Sequence, residues 1–248
     1  MVSKSALKFI KSLKIKKYRD LELRFLVEGP KNILELIRSD FEVLLVIGTT
    51  IFLNQYEGQL RISGCEIYQA TQAQIESAGS LKANDCGIAV VHMRPNTSVE
   101  IGTGEYGLVL DNINDPGNLG TLLRIADWYG IRKIICSNNT TDFYGPKVIQ
   151  ASMGSFTRVE VFYTELTDYL KLTDRPVYGS FTKGDNIHQI GFDQHGLVLL
   201  GSESHGIHPT LERFVNHRIA IPGYGQAESL NVAVAAAVIC DNIRRTTA

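Results

Sequence analysis

The chain has 248 residues, 44% of them hydrophobic and 21% charged, and a formal net charge of −1. This composition is typical of a globular protein with a full core. No apolar run approaches the roughly 20 residues that span a bilayer, and lysines interrupt the apolar residues at the N-terminus. The sequence therefore excludes a membrane-spanning protein, and it predicts a cytoplasmic chain without a signal peptide or membrane contact.

Charge is distributed unevenly along the chain. Residues 1–38, which we call the basic arm, hold ten Lys or Arg against four acids, so the rest of the chain is acidic overall. A basic segment on an acidic body is typical of a phosphate-binding surface. Lysine-rich helices also occur as purely solvated surfaces, and charge alone does not separate the two interpretations.

Apolar periodicity in the first hundred residues alternates between helix and strand patterns. Helices are predicted at residues 4–17, 31–38 and 71–76, and buried strands at 43–47, 65–68 and 87–92. This alternation predicts a small layered α/β domain over residues 1–94. Residues 95–106 follow as a linker.

The end of the linker contains a glycine pattern, G-x-G-x-x-G, from Gly102 to Gly107. In a dinucleotide-binding fold this pattern follows a strand and opens a helix. Here it comes before a predicted apolar strand at residues 107–111. We therefore interpret the glycines as turn residues, and a nicotinamide-dependent dehydrogenase is not expected.

The strand at residues 107–111 leads through a loop of Asn, Pro and Gly into a helix that ends at Gly130. Apolar residues recur there at helical spacing: Leu119, Leu122, Leu123 and Ala126. Such a helix start presents free backbone N–H groups at the carboxyl edge of a parallel sheet, where ligands bind in open α/β folds. Arg124, inside this helix, is therefore a candidate site residue.

Strands and helices are predicted to alternate along the rest of the chain. Strands are expected at residues 133–137, 159–163, 177–181, 196–200 and 218–221, and helices at 146–153, 165–172, 209–215 and 228–245. This order predicts a parallel sheet with helices on both faces over residues 107–248.

The residues that commonly bind metals are sparse. The four cysteines form no C-x-x-C pair and are interpreted as buried thiols: Cys65, Cys86, Cys136 and Cys240. His205 and His208 lie near Glu203, but two histidines without partners at fixed spacing are too few for zinc. No metal is expected.

Three ordered segments carry fixed residue types. The first is N-x3-P-x-N-x-G-x3-R-x-A-x3-G from Asn112 to Gly130, the second is G-x-E-x-x-G from Gly201 to Gly206, and the third runs from Ile221-Pro222 through S-L-N-V-A-V-A ending at Ala235. Together they resemble the motifs of the SpoU (TrmH-like) family of RNA 2′-O-ribose methyltransferases, within the SPOUT superfamily. The resemblance covers residues 107–245, and residues 1–100 more loosely.

The resemblance implies a fold and its partners. It implies that residues 107–248 form a trefoil-knotted methyltransferase domain that binds S-adenosylmethionine, although general topology rules argue against knots. It implies that residues 1–94 form an RNA substrate-binding domain similar to ribosomal-protein folds of the L30e/L7Ae kind. It also implies a homodimer with each active site near the partner's surface.

Arg124 matches the family's proposed catalytic arginine. A ribose 2′-hydroxyl is a poor nucleophile that must be aligned and must lose its proton. Because an arginine has a pKa above about 12, it is an awkward base. We therefore expect Arg124 to hold the adjacent phosphate and orient the hydroxyl, and assistance in deprotonation stays open.

The other site residues also follow from the resemblance. Four polar residues match positions that shape the active site, namely Asn118, Glu203, Ser229 and Asn231, and three match positions whose backbone contacts the cofactor, namely Gly201, Ile221 and Leu230. Taken alone, the neutral polar residues would be turn or cap residues. Ala233 departs from the family pattern, which usually has serine there, and we do not expect this to abolish activity.

The sequence therefore predicts an S-adenosylmethionine-dependent RNA 2′-O-ribose methyltransferase. Ribosomal RNA is favoured over transfer RNA, because the N-terminal domain and residues 146–155 resemble the rRNA-directed members. DNA is not expected as a substrate, because it lacks the 2′-hydroxyl. The alternatives are a tRNA 2′-O-methyltransferase and a non-catalytic RNA-binding protein on the same scaffold.

Overall fold

The structure, a computed structural model, describes residues 1–62 and 64–247. Its helices are α1 (Lys4–Ser12), α2 (Lys16–Glu22), α3 (Pro30–Ile37), α4 (Thr50–Gln55), α5 (Glu57–Ile62), α6 (Gln72–Ala78), α7 (Pro116–Trp128), α8 (Pro146–Ser152), α9 (Leu166–Leu172), α10 (Pro209–Glu212) and α11 (Val232–Thr247), with a 3-10 turn at Ser155–Thr157. Its strands are β1 (Arg24–Glu28), β2 (Val43–Gly48), β3 (Glu66–Gln69), β4 (Gly87–His92), β5 (Tyr106–Leu110), β6 (Lys133–Ser137), β7 (Glu160–Thr164), β8 (Val177–Asn186), β9 (Gly196–Leu200) and β10 (His217–Ala220).

The chain folds into two compact units. Unit 1 comprises Met1–Pro95 and Asp142–Thr157, and unit 2 comprises Asn96–Thr141 and Arg158–Ala248. Residues 142–157 belong to unit 1 because α8 packs against β1 and because Tyr144 and Phe156 place their rings 4.6 and 6.2 Å from that of Phe25. The sequence pattern did not predict that residues 142–157 belong to unit 1, since these aromatic residues do not recur at helix or strand spacing.

Unit 1 is a small α/β unit, as predicted. Its sheet has the order β1-β4-β2-β3, with β4 antiparallel to both neighbours and β3 parallel to β2. Alternate strand residues such as Leu26 and Val90 pack with Ile10 and Ile75 from the helices in one buried core. The helices α4 and α5 were not predicted, because each has only six residues and is too short for a periodic pattern.

The single helix predicted at residues 4–17 is wrong, because α1 ends at Ser12 and α2 begins at Lys16. The carbonyl groups of Leu13 and Lys14 accept hydrogen bonds from the buried guanidinium of Arg19, each at 2.9 Å. In a continuous helix these carbonyls would accept from backbone N–H groups four residues later. The same guanidinium pairs with Asp142 at 2.5 Å, so it fixes the break between the two helices.

Unit 2 contains the predicted parallel sheet, with six strands in the order β10-β8-β9-β5-β6-β7. Successive side chains of the central strands point to opposite faces, and Leu108, Val109, Val198 and Leu199 are all fully buried. Both faces are therefore covered. On one of them Leu170 of α9 and Leu211 of α10 join the core.

Three boundaries in unit 2 differ from the prediction by three residues or more, and the others by two at most. The strand β8 extends to Asn186, α10 ends at Glu212, and α11 starts at Val232 rather than at residue 228.

Cys136 and Cys240 are buried, as predicted, and burial raises the pKa of Cys240 to about 12. Cys65 and Cys86 are only partly buried, so the prediction of buried thiols is wrong for them.

Within the described residues, no helix has the length and apolarity needed to cross a membrane.

Candidate active site

The three motif segments all follow parallel strands of unit 2. The first begins after β5, the second after β9 and the third after β10. Because parallel strands end at the same edge of a sheet, their three loops share its carboxyl edge. The three motifs therefore lie at the edge of the sheet where the sequence predicted a site.

The helix α7 is capped in a way that orients the first motif. The Asp115 carboxylate accepts a hydrogen bond from the backbone N–H of Asn118 at 2.8 Å, and Pro116 occupies the first helical turn. An aspartate cap followed by proline is a favourable helix start. Asp115 is not among the residues predicted from the sequence, although its position directly before Pro116 is a readable capping signal. The cap leaves the side chain of Asn118 free to point out of the first turn.

The loop after β9 is a tight turn. Ser202 and Gly206 exchange two backbone hydrogen bonds, of 3.1 and 2.8 Å, which close the turn around Glu203. At Gly201 a Cβ atom would lie 2.0 Å from the carbonyl carbon of Gly206. Only glycine fits at Gly201, since any side chain would force the two backbone segments apart.

Three polar side chains from the three motifs meet at the sheet edge. Glu203 Oε1 accepts hydrogen bonds from Asn118 Nδ2 at 2.8 Å and from Asn231 Nδ2 at 2.6 Å, and Asn231 Nδ2 also lies 3.0 Å from Asn118 Oδ1. We call these three residues the amide–carboxylate cluster. Amide hydrogen bonds to an ionised carboxylate are charge-assisted and therefore among the stronger ones. The structure brings together residues that are 85 and 28 positions apart in the sequence.

Asn231 has a second function at the start of α11. Its Oδ1 accepts hydrogen bonds from the backbone N–H groups of Ala233 at 3.0 Å and Val234 at 3.4 Å, which makes it the N-cap of the helix. This is why α11 starts at Val232 and why the predicted start at residue 228 is wrong. One side chain therefore both caps α11 and completes the amide–carboxylate cluster.

The helices α7 and α11 pack side by side and run in the same direction. Their starts are joined through Asn118 and Asn231, and their ends through Arg244, whose Nε donates to the carbonyl of Tyr129 at 2.6 Å. The pair holds the first and third motifs at a fixed separation.

Two of the five predicted catalytic residues lie outside the amide–carboxylate cluster. The side chain of Arg124 on α7 is exposed and forms no hydrogen bond or ion pair with any residue that the structure describes. Ser229 is likewise exposed, in the loop before α11, without a hydrogen bond to the described part of the chain. Both side chains are therefore available to a ligand.

The predicted cofactor positions border the same edge. Gly201 opens the tight turn, Ile221 follows β10, and Leu230 precedes Asn231. Leu230 is 48% exposed and Ile221 is half-buried, so both offer apolar surface. The backbone of residues 221–230 makes no hydrogen bond with other described residues. Free backbone donors and acceptors beside apolar side chains fit a purine nucleoside.

Across the described ranges 1–62 and 64–247, no three His, Cys, Asp or Glu side chains are grouped to hold a metal ion.

Comparison with known proteins is consistent with this geometry. Residues 105–241 match the model of the SpoU rRNA Methylase family, and residues 4–86 match that of the MRM3-like substrate binding domain. The chain belongs to the SpoU rRNA methylase family. This confirms the family predicted from the three motifs, and with it the prediction of an RNA methyltransferase.

Individual relatives match nearly the whole chain. The 23S rRNA (guanosine(2553)-2′-O)-methyltransferase RlmP of Bacillus subtilis is 30% identical over 240 residues, which is 94% of each chain. A TrmH-family structure from Porphyromonas gingivalis has a TM-score of 0.86 at 32% identity and covers 99% of both chains. The SpoU methyltransferase AviRb from Streptomyces viridochromogenes, solved with AdoMet, has a TM-score of 0.88 at 23% identity over 98% of both chains, which shows the shared fold.

Proposed function

We propose that this SpoU-family protein transfers a methyl group from S-adenosylmethionine to a ribose 2′-hydroxyl of ribosomal RNA. The observation that carries the proposal is the amide–carboxylate cluster, which draws one polar side chain from each motif to one edge of the sheet. Loss of Arg124, Glu203 or Asn231 would have favoured a non-catalytic scaffold, and all three residues are present. The full-length similarity to an rRNA-directed relative supports ribosomal RNA rather than transfer RNA.

The residues have separate roles in this proposal. S-adenosylmethionine supplies an electrophilic methyl group when it is bound. Gly201, Ile221 and Leu230 hold its nucleoside part through backbone groups and apolar contact. The amide–carboxylate cluster and Ser229 shape the ribose site. Arg124, exposed and unpaired within the described residues, holds the phosphate beside the target ribose and orients its hydroxyl.

The proposal is tested by transfer of labelled methyl groups from S-adenosylmethionine to unmodified total RNA, followed by alkaline hydrolysis. A methylated 2′-oxygen blocks cleavage of its neighbouring phosphodiester, so we expect labelled alkali-resistant dinucleotides. Separation of the RNA by size should place the label in ribosomal RNA, and DNA should stay unlabelled. Label confined to free bases, or no label with intact rRNA, its precursor and tRNA, would contradict the function.

We also propose that the basic arm contacts RNA phosphates. Five lysines on α1 and α2 are exposed and form no ion pair within the described chain: Lys4, Lys8, Lys11, Lys16 and Lys17. Deleting residues 1–19 is not a clean test, because Ile10 and Leu13 are fully buried and Arg19 pairs with Asp142. Substituting the lysines leaves these core residues intact.

Changing these five lysines to glutamine should weaken RNA binding and flatten its salt dependence. Each lost phosphate contact should lower the log–log slope by about 0.7 to 0.9, because fewer counterions are released. Affinity is measured by fluorescence anisotropy from 50 to 300 mM salt. The variant Lys82→Gln, an exposed lysine outside α1 and α2, is the control. An unchanged slope in the five-fold variant would show that the arm is only a solvated surface.

We propose that the protein is a homodimer that joins through α7 and α11. Both helices of this pair carry an exposed apolar side chain: Trp128 at the end of α7 is 84% exposed and Val234 near the start of α11 is 50% exposed. A tryptophan this exposed leaves a large apolar area in water, which a partner surface would cover. Arg124 lies one turn before Trp128 on the same helix, which places the active site beside this interface.

The substitution Trp128→Glu should therefore convert the dimer to a monomer, because it places a charge in an apolar interface. Sedimentation velocity at micromolar concentration measures the change, and methyl transfer should fall with it. Leu172→Glu is a matched control, since Leu172 is 89% exposed at the end of α9, which packs against α10 and β6. A wild-type monomer with full activity would rule out the dimer.

Three further assignments belong to the same proposal. Residues 1–94 would form the RNA-binding domain, residues 107–248 would form the methyltransferase domain, and residues 95–106 would link the two domains. The family matches over residues 4–86 and 105–241 support these bounds. The segment after β10 would be threaded as a trefoil knot, which is supported by its return from the sheet edge to α7. We also propose that the protein works in the cytoplasm, on RNA and not on DNA, with no membrane contact.

A further inference from the structure

Asp111 is a buried acid that no motif contains. It directly follows β5, one residue before the first motif, and its side chain is only 7% exposed. A carboxylate that is removed from water at the end of a strand needs hydrogen-bond donors to offset its desolvation. The donor that the structure provides lies in another segment of unit 2.

Asp111 holds both ends of the tight turn that carries Glu203. Its backbone N–H donates to the carbonyl of Leu200 at 2.9 Å, where the turn begins. Its Oδ2 accepts from the backbone N–H of His208 at 2.7 Å, where the turn ends. One residue therefore fixes the distance between residues 200 and 208.

The rest of the turn has little freedom. Gly201 and Gly206 are in direct backbone contact, and Ser202 and Gly206 are joined by two hydrogen bonds. Beyond the turn, His208 caps α10 through Nδ1, which accepts from the N–H of Thr210 at 3.3 Å. With both ends held, the position of Glu203 over the sheet edge depends on the contact between Asp111 and His208.

We propose that Asp111 is a positioning residue for methyl transfer, and that it acts by presenting Glu203 to Asn118 and Asn231. This inference rests on the proposed function, since it assigns Asp111 to the same site. Asp111 is buried and forms no hydrogen bond with the three cluster residues within the described chain, so its effect on the reaction should pass through Glu203.

Two variants test the proposal. Asp111→Ala removes the acceptor and should lower the single-turnover rate at least tenfold. Asp111→Asn keeps an oxygen that can accept from the His208 N–H and should restore the rate to within about threefold of wild type. Both variants should melt within a few degrees of wild type. A rate loss in Asp111→Asn as large as in Asp111→Ala would overturn the proposal.

A double-mutant cycle with Glu203 separates positioning from general structural damage. If Asp111 acts through Glu203, then Asp111→Ala should change the rate less than twofold in a Glu203→Ala background, since coupled residues are not additive. A full additional tenfold loss in that background would show an independent structural effect and would refute the inference.

Hydrogen exchange of the His208 amide provides a readout that does not depend on activity. Protection should be strong in wild type and in Asp111→Asn, and it should fall at least tenfold in Asp111→Ala. If wild-type protein methylates no RNA but the His208 amide behaves in this way, the proposed function is wrong, and the role of Asp111 in holding the turn is still supported. Equal protection in all three proteins would show that Asp111 does not hold the turn, and it would refute the inference whatever the methyltransferase activity.

Discussion

Replacing Arg124 with alanine is expected to reduce methyl transfer by about a hundredfold or more, the scale of a lost positioning or charge-stabilising group. The guanidinium is exposed and makes no hydrogen bond or ion pair within the described structure, so its removal deletes no internal contact. Alanine is a good helix former, and the melting temperature should therefore hardly change. The affinity for S-adenosylmethionine should also be kept, because Gly201, Ile221 and Leu230 lie on other segments.

Arg124→Lys is the matched comparison for this variant. It keeps the positive charge but loses the planar fork that binds a phosphate with two hydrogen bonds, so it should restore little of the rate. Single-turnover rate, cofactor affinity by calorimetry and melting temperature are measured on the same preparations. A near-normal rate in Arg124→Ala would remove the residue from the mechanism. A rate loss that only follows a collapsed melting temperature would make it a structural residue.

Replacing Asn231 with aspartate is expected to reduce the rate by a similar factor at neutral pH. Asp can still cap α11, because its carboxylate accepts from the N–H groups of Ala233 and Val234. It cannot donate to Glu203 Oε1, and it places a second negative charge where the native amide nitrogen lies 2.6 Å from that oxygen. Two carboxylates at this separation repel each other, and the amide–carboxylate cluster should open.

The pH dependence of this variant distinguishes repulsion from a lost cap. Two adjacent carboxylates raise the pKa of one of them, so a shared proton should partly restore the cluster as the pH falls from 8 to 5.5. The ratio of the Asn231→Asp rate to the wild-type rate should therefore rise toward acidic pH. Asn231→Ser keeps a capping oxygen without adding charge, and its ratio should stay flat. A flat ratio for Asn231→Asp as well would exclude charge repulsion as the cause.

The sequence alone determined the parts of the site that depend on short spacing. The junction from β5 to α7 was readable because a buried strand, a proline after a polar loop and a helical apolar period are all local signals. For the same reason, β6 at Lys133–Ser137 and β9 at Gly196–Leu200 have the predicted bounds. The three motifs identified the family, since so many fixed residue types at fixed spacing do not coincide by chance in a chain of this length.

Only the tertiary structure decided which of these residues touch. The cluster joins Glu203 to Asn118 and to Asn231 across long stretches of chain. Sequence periodicity reports the face of a helix or strand, but it does not report which loops meet at a sheet edge. Arg124 and Ser229, which belong to the same motifs, make no hydrogen bond to the cluster within the described chain.

Long-range hydrogen bonds also moved element boundaries away from the local pattern. Residues 228–231 are not helical, although their pattern predicted a helix, because the Asn231 side chain caps α11 while it binds Glu203. Residues 13–15 are not helical, although their pattern predicted a helix. The Arg19 guanidinium donates hydrogen bonds to two backbone carbonyls there and pairs with Asp142. In each case a side chain offered the backbone a partner that the helix would otherwise have provided, and that partner depends on the folded chain.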